Sequence, residues 1–240
     1  MTSTTPRPAL VLHGGGGPFT VASLAEHLTG MNFDVTAPTH PGWNGTPRAE
    51  SISTVADLTT LYLDYLAEHD LHDVLVVGSS LGGWIGADMA TRDTDHRISA
   101  LVLIDAVGIE APEAPIRDFF GLDARGVAEY AWHDSERYYV DPATMPAAQQ
   151  AAQRGNMATM ASLTANGMID PTLLGRLAQI TVPTLVIWGE SDRIVTPAYG
   201  AAFAGAIPDA RLTIIDEAGH LPHLEQPDPT FAALDAFLAE

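Results

Sequence analysis

The chain of 240 residues contains no cysteine and no lysine, and all eleven of its basic residues are arginine. Without cysteine there is no disulfide framework, no thiolate zinc site and no thiol nucleophile. Without lysine there is no Schiff-base chemistry and no Walker-type phosphate lysine. Positive charge is also scarce, and the formal net charge is −19. A surface so acidic repels nucleic acid and anionic membranes, and its simplest consequence is solubility. Long hydrophobic runs are missing as well. Stretches such as Leu101–Ile104 and Leu185–Trp188 are far too short to span a bilayer. Met1 to Pro8 is polar, with two prolines and no apolar stretch of the signal-peptide kind, so a cytoplasmic location is expected. The expected partner is a small-molecule substrate; oligomeric state is left open.

What the chain does have is a 46% apolar fraction, enough to bury the core of one α/β domain. Short apolar runs alternate with longer amphipathic stretches. Ala9–Leu12, Phe33–Ala37, Val74–Val77, Ala100–Ile104, Leu185–Trp188 and Leu212–Ile215 read as buried strands, as runs rather than alternations. Helices are expected over about Val21–Leu28, Val55–His69, Leu81–Ala90, Pro197–Ala206 and Pro229–Ala239, with Thr196 and Asp228 as N-caps. This rhythm predicts a doubly wound, mostly parallel sheet of about six strands. Residues 107–179 break it, with five prolines and no convincing strand. They are expected to form a helical cap over the carboxyl edge of the sheet, where open α/β sheets bind ligands. The core is then 1–106 and 180–240.

The most informative segment is Gly78-Ser79-Ser80-Leu81-Gly82 between a buried strand and a helix. It fits G-x-S-x-G, which puts the central serine on a strained turn with its hydroxyl exposed, and only Ser80 has glycines at both −2 and +2. The competing reading is an ordinary Gly/Ser turn. Four consecutive glycines, Gly14 to Gly17, follow His13 at the end of the first strand. Acyl transfer needs two backbone N–H donors at the tetrahedral oxygen. Leu81, after the nucleophile, is expected to supply one, and Gly15 the other, with Gly16 in reserve. A phosphate site is the rival, but Pro18 and Phe19 spoil G-x-G-x-x-G. His13 reads as a loop-fixing residue.

Asp192 falls in the turn after the Leu185–Trp188 strand, where it could orient a histidine or simply cap a helix. Glu190 and the strand-ending Asp105 are the other acids. His220, freed by Gly219 and fixed by Pro222, is the preferred base; His223 is its rival, and Glu225 reads as shaping that loop. If the strands ending at Gly78, Asp105, Trp188 and Ile215 are neighbours, roughly 14 Å separates the serine strand from the histidine strand, and the 216–228 loop must reach back.

These motifs together resemble the α/β-hydrolase superfamily over nearly the whole chain. Gly78–Gly83 matches its nucleophile elbow, His13-Gly14-Gly15-Gly16 its oxyanion loop, and Trp188–Asp192 its acid loop. Gly219–Pro227 matches its histidine loop, and Thr39-His40-Pro41-Gly42-Trp43 an early turn. The resemblance implies a cofactor-free, metal-free serine hydrolase with Ser80, Asp192 and His220 as triad. The expected reaction is cleavage of a small to medium, mostly apolar carboxylic ester or lactone through an acyl-enzyme; a carbon–carbon hydrolase of a β-diketone or dienoate with the same triad, or a small-molecule binding protein on the same scaffold, are the alternatives. Aspartate-nucleophile relatives are excluded by Ser80, and lysine-dependent hydroxynitrile lyases by composition. Only eight residues precede Ala9, so the antiparallel hairpin that opens many family members is expected to be missing. His40 stands where an acidic or aliphatic residue is common. In the cap, Phe119, Trp132, Tyr138 and Met157 are the candidate pocket residues, and Trp84 is expected to pack in the elbow helix. Arg117, Arg137, Arg154 and His133 could recognise a carboxylate but read first as surface.

Overall fold

The computed structural model describes residues 6–165 and 167–240. In chain order the regular elements are β1 (Arg7–Leu12), α1 (Ala22–Gly30), β2 (Phe33–Thr36), α2 (Val55–Glu68), β3 (Val74–Ser79), α3 (Leu81–Arg92) and β4 (Ile98–Ile104). Then follow α4 (Ala124–Ala131), α5 (Ser135–Tyr138), α6 (Ala147–Leu163) and α7 (Leu173–Arg176), and finally β5 (Thr184–Gly189), α8 (Pro197–Ala206), β6 (Arg211–Ile215), α9 (Pro222–Glu225) and α10 (Pro227–Leu238). The six strands form one sheet in the order β2-β1-β3-β4-β5-β6. Every pairing is parallel.

The expected doubly wound sheet is therefore present, and its burial explains why the strands read as apolar runs. Every residue of β3 and β5 is buried. Successive residues serve opposite faces: Leu10, Leu12, Val74, Val76, Leu101 and Leu103 join one core with α2, α3 and α8. Ala9, Val11, Leu75, Val77, Ala100 and Val102 join the other with α1 and α10. Helices on both sides demand apolar residues at both parities.

Local chemistry sets most of the helix limits. Thr54 caps α2 and Asp57 answers back in a reciprocal capping box. Three sequence expectations shift. Helix α1 is preceded by a tight 3₁₀ turn at Pro18–Val21 and begins at Ala22. Helix α10 begins at Pro227, so Gln226 is its N-cap and Asp228 lies in the first turn instead of capping it. Both Pro227 and Pro229 suit a first turn, and the earlier one starts the helix. The edge strands are not buried runs: β2 has no buried residue, and in β6 Leu212 and Ile214 are 37% and 38% exposed, because each strand ends the sheet with a single neighbour. The opposite edge is β2, and among the described residues no hairpin strand covers it.

Among the described residues, 107–179 contribute no strand to the sheet. They fold back onto it at specific points. Asn156 of α6 accepts the Asn44 N–H (2.7 Å) and donates to the Asn44 side chain (3.1 Å), while the Thr159 hydroxyl donates to the Gly42 carbonyl (3.1 Å). Near α7, Arg176 bridges the buried Asp88 of α3 (2.5 Å) and Asp170 (2.7 Å), and Arg92 also binds Asp88 (2.9 Å).

Candidate active site

Parallel strands present their carboxyl ends together, and the register aligns Leu12 with Gly78, Ser79 with Ile104 and Gly189 with Ile215. Ser80 sits at the tip of β3 with φ 54° and ψ −117°, a strained conformation for a residue with a Cβ. Its N–H donates to Ile104 O (2.9 Å), and its carbonyl accepts from Gly83, Trp84 and Val107, so the strain is held from both sides. The flanking glycines are compulsory here. A Cβ at Gly78 would run into the Gly82 carbonyl, and one at Gly82 into the Leu12 carbonyl.

The 216–228 loop does reach back. His220 Nε2 lies 2.9 Å from Ser80 Oγ, and His220 Nδ1 lies 2.7 Å from Asp192 Oδ2. Asp192 is buried, and its other oxygen accepts the N–H groups of Ile194 (2.8 Å) and Val195 (3.1 Å). With the carboxylate so oriented, Nδ1 carries the imidazole proton and Nε2 is the acceptor facing the hydroxyl. The rival His223 points elsewhere: its Nε2–H donates to Thr20 O (2.7 Å), and burial lowers its pKa to about 4. Glu225 accepts N–H groups from Gly219, His133 (3.1 Å) and Asp134 (3.1 Å), tying the histidine loop to the 107–179 segment. Glu190 is exposed and accepts only from the Glu217 N–H (3.3 Å).

Asp105 stands directly behind Asp192. It is fully buried and its Oδ1 accepts the Gly189 N–H (3.0 Å), while Oδ2 has no partner among the described residues. Burial, and then the adjacent Asp192 charge, push its carboxyl well above the usual carboxylate range. One ligand atom each from Asp105, Asp192 and His220 fall within 4.8 Å of one another, a spacing that a cation could fit. A cation there would compete for the atoms that join His220 to Asp192.

The glycine loop lies on the other side of Ser80. A Cβ at Gly14 would come within 2.8 Å of Ser80 Cβ. Neither the Gly15 nor the Gly16 nor the Leu81 N–H donates to a protein acceptor among the described residues. Two buried histidines hold the loop. His40 N–H donates to His13 Nε2 (3.0 Å), which leaves His13 Nδ1–H to donate to Gly14 O (2.7 Å). The His40 ring donates from Nε2 to His13 O (2.9 Å) and accepts the Tyr62 hydroxyl at Nδ1 (2.5 Å). Trp43 Nε1–H fixes the Gly15 carbonyl (3.0 Å). His13 thus acts on the peptide whose N–H belongs to Gly15. Burial lowers the pKa of His13 to about 4, and burial with the His13 neighbour holds His40 well below its ordinary value. The sequence left His40 without a role; this clamp supplies one. Its partners lie 27 and 22 positions away, a separation that only the folded topology closes.

The expected pocket residues are scattered. Met157 is partly buried against the core, and the thioether that covers Gly15 belongs to Met160, one turn later. Trp132 stacks on Tyr138 (4.9 Å between centroids), and its backbone lies against Gly219, beside His220. Phe119 is buried and stacks on Phe120 (4.7 Å). Trp84 packs in α3 against Gly108. Arg117, Arg137 and Arg154 are all exposed, and His133 bonds Ser191 Oγ (2.7 Å). The His220 N–H donates to Ala131 O at the end of α4 (2.6 Å). Ser80 is left only 7% exposed. Two cavities, of about 200 and 240 Å³, lie beside α3 and beside α9, and Ser80 lines neither.

Sheet topology, elbow and hydrogen-bonded serine, histidine and aspartate define a hydrolase of the α/β type. The chain belongs to the alpha/beta hydrolase family, whose match runs over residues 9–233. It is 29% identical over 254 residues to a pimeloyl-[acyl-carrier protein] methyl ester esterase of Aromatoleum aromaticum, covering 92% of this chain and 94% of that protein. It is 26% identical over 230 residues to a 2-hydroxy-6-oxononadienedioate/2-hydroxy-6-oxononatrienedioate hydrolase of Cupriavidus pinatubonensis, covering 88% of this chain and 79% of that protein. Among solved structures, a bromoperoxidase from Bacillus anthracis shares the fold at a TM-score of 0.80 and 19% identity, over 98% of this chain and 93% of that one. No helix of the described residues is long and apolar enough to cross a membrane.

Proposed function

We propose that the protein hydrolyses a small to medium, mostly apolar carboxylic ester or lactone through an acyl-enzyme on Ser80, with residues 107–179 as a cap. The observation that carries this reading is the unbroken chain from Ser80 Oγ to His220 Nε2 (2.9 Å) and from His220 Nδ1 to Asp192 Oδ2 (2.7 Å). His220 takes the hydroxyl proton as Oγ attacks the ester carbonyl, and Asp192 stabilises the imidazolium. The Gly15 and Leu81 N–H groups, with Gly16 in reserve, receive the oxyanion, and the α3 N-terminus adds partial positive charge. His220 then gives its proton to the leaving alcohol, and a water activated by His220 releases the acid and restores Ser80. The cycle balances with water alone, so no cofactor or metal enters it. Arg117, Arg137 and Arg154 are exposed, and the side chain that covers Gly15 is the apolar Met160, which supports an apolar substrate. A cytoplasmic location belongs to the same reading.

A second reading is a carbon–carbon hydrolase with the same triad, favoured by the 26% identity to the dienedioate hydrolase. It predicts strong turnover of a β-diketone or dienoate and weak ester activity. A ligand-retaining receptor on this scaffold would show slow turnover and tight retention of its ligand. The test is Ser80→Ala on short p-nitrophenyl esters, where a loss on the order of 10³-fold or more in kcat/KM is expected. Undiminished hydrolysis would sink the assignment, and a fluorophosphonate should label Ser80 in the unaltered protein. His220→Ala should match Ser80→Ala, while an active His220→Ala beside a dead His223→Ala would reverse the choice of base.

A further inference from the structure

Asp105 is a buried acid that the proposed cycle does not use. Its oxygen Oδ1 is satisfied by the Gly189 amide, and Oδ2 is sealed from solvent with no partner among the described residues. The titratable groups facing it are Asp192 on the loop after β5, His220 on the loop after β6, and Glu225 on α9. The carboxyls of Asp105 and Asp192 each offer an oxygen within 4.8 Å of the same histidine nitrogen. Asp192 is committed as an acceptor on both oxygens, to Ile194, Val195 and His220. Two ionised carboxylates side by side in this buried position would repel each other, and Asp105 has no donor for its second oxygen. One proton resolves both problems.

We propose that Asp105 is a neutral carboxylic acid whose Oδ2–H donates to Asp192, making it a positioning residue for the catalytic pair. It rests on the hydrolase reading above for its kinetic consequence, but its protonation is a property of the fold. The donated bond holds Asp192 in the orientation that meets His220. It also keeps the two acids at a single negative charge. A second charge beside the imidazole would favour its protonated form, which cannot take the Ser80 proton. The upward push that burial and Asp192 exert on the Asp105 carboxyl agrees with this assignment.

The decisive variants are Asp105→Asn and Asp105→Leu in the full chain. The amide is the same shape, accepts the Gly189 N–H and donates to Asp192, so Asp105→Asn should keep kcat/KM within about threefold and leave the acid limb of its pH profile in place. Asp105→Leu removes the donor; kcat should fall about tenfold or more at unchanged KM, with Asn restoring what Leu loses. If Asp105 is instead ionised, Asp105→Asn removes a charge near His220, and the acid limb moves down by about one pH unit; that result overturns the proposal. Infrared difference spectra of unaltered protein against Asp105→Asn give a readout free of folding and turnover. A protonated-carboxyl stretch at pH 7 that is lost in the variant is expected, and its absence refutes the neutral acid. Because the spectrum does not involve Ser80, an active Ser80→Ala would defeat the esterase reading while the Asp105 band still stood.

Discussion

At Gly78 the backbone of α3 leaves no space for a methyl group. The obstructing atoms are the Gly82 carbonyl and the Gly83 N–H, both backbone, so nothing flexible can yield. Gly78→Ala and Gly82→Ala should each cost about 3 kcal/mol or more, read as a lower urea midpoint at unchanged slope. Gly15→Ala is a different case, because the atoms it meets are the flexible end of Met160. That variant should fold and lose kcat. His223→Gln should weaken stability while leaving kcat within a few-fold, since the His223 ring touches a carbonyl of the 3₁₀ turn and not the serine. The residues with a local signature were legible in the sequence: Ser80 between its glycines, Asp192 after its strand, His220 after Gly219. Asp105 was visible as a strand-ending acid, but its pairing with Asp192 depends on β4 and β5 being neighbours. Met160 was missed in favour of Met157 because residues three apart on α6 share nearly the same face.

At the scale of elements, the glycine loop is held by a clamp rather than by its own sequence. Tyr62 on α2, His40 after β2 and His13 after β1 each pass a hydrogen bond toward the peptide ahead of Gly15. Tyr62→Phe leaves the His40 Nδ1 buried without a donor and should cost about 1–3 kcal/mol in stability. A drop in kcat larger than the rise in KM would show that the clamp orients the oxyanion donors; an unchanged kcat would show that the loop holds itself. The alternation of apolar runs and amphipathic stretches was enough to place all six strands and the main helices, and it was sharpest for the inner strands β1, β3, β4 and β5, where cover on both faces leaves little polar parity to blur the run. The ends were less legible. Pro227 and Pro229 both satisfy a helix start, and β6 has the composition of a buried strand at a position where the sheet simply stops.

For the molecule as a whole, the buried histidines set the response to acid. Burial lowers His13 and His223 from an ordinary 6.5 to about 4, and holds His40 well below its ordinary value. Between those values the unfolded chain binds protons that the native chain refuses, so stability falls as pH drops from 6.5 toward 4. Each of the first two histidines accounts for about 3 kcal/mol over that window. Asp105, raised instead of lowered, acts in the opposite sense and, with one proton, offsets at most one of them. The net slope remains positive, and typical domains hold only about 5–15 kcal/mol in total. Urea unfolding between pH 7 and pH 4.5 should show a steadily falling midpoint, and a flat profile would mean that these rings are charged in the native state.

Helix α6 rests its Met160 thioether on Gly15, and the end of α4 bonds the histidine loop. On the proposed reading of residues 107–179 as a cap, a substrate meets a door before it meets a nucleophile. If departure of α6 precedes entry, the encounter is unimolecular at high reagent concentration. The rate of irreversible phosphonylation would then rise with reagent and level off at the opening rate, and added viscogen would lower that plateau. Severing the Asn156 contact to Asn44 should raise it.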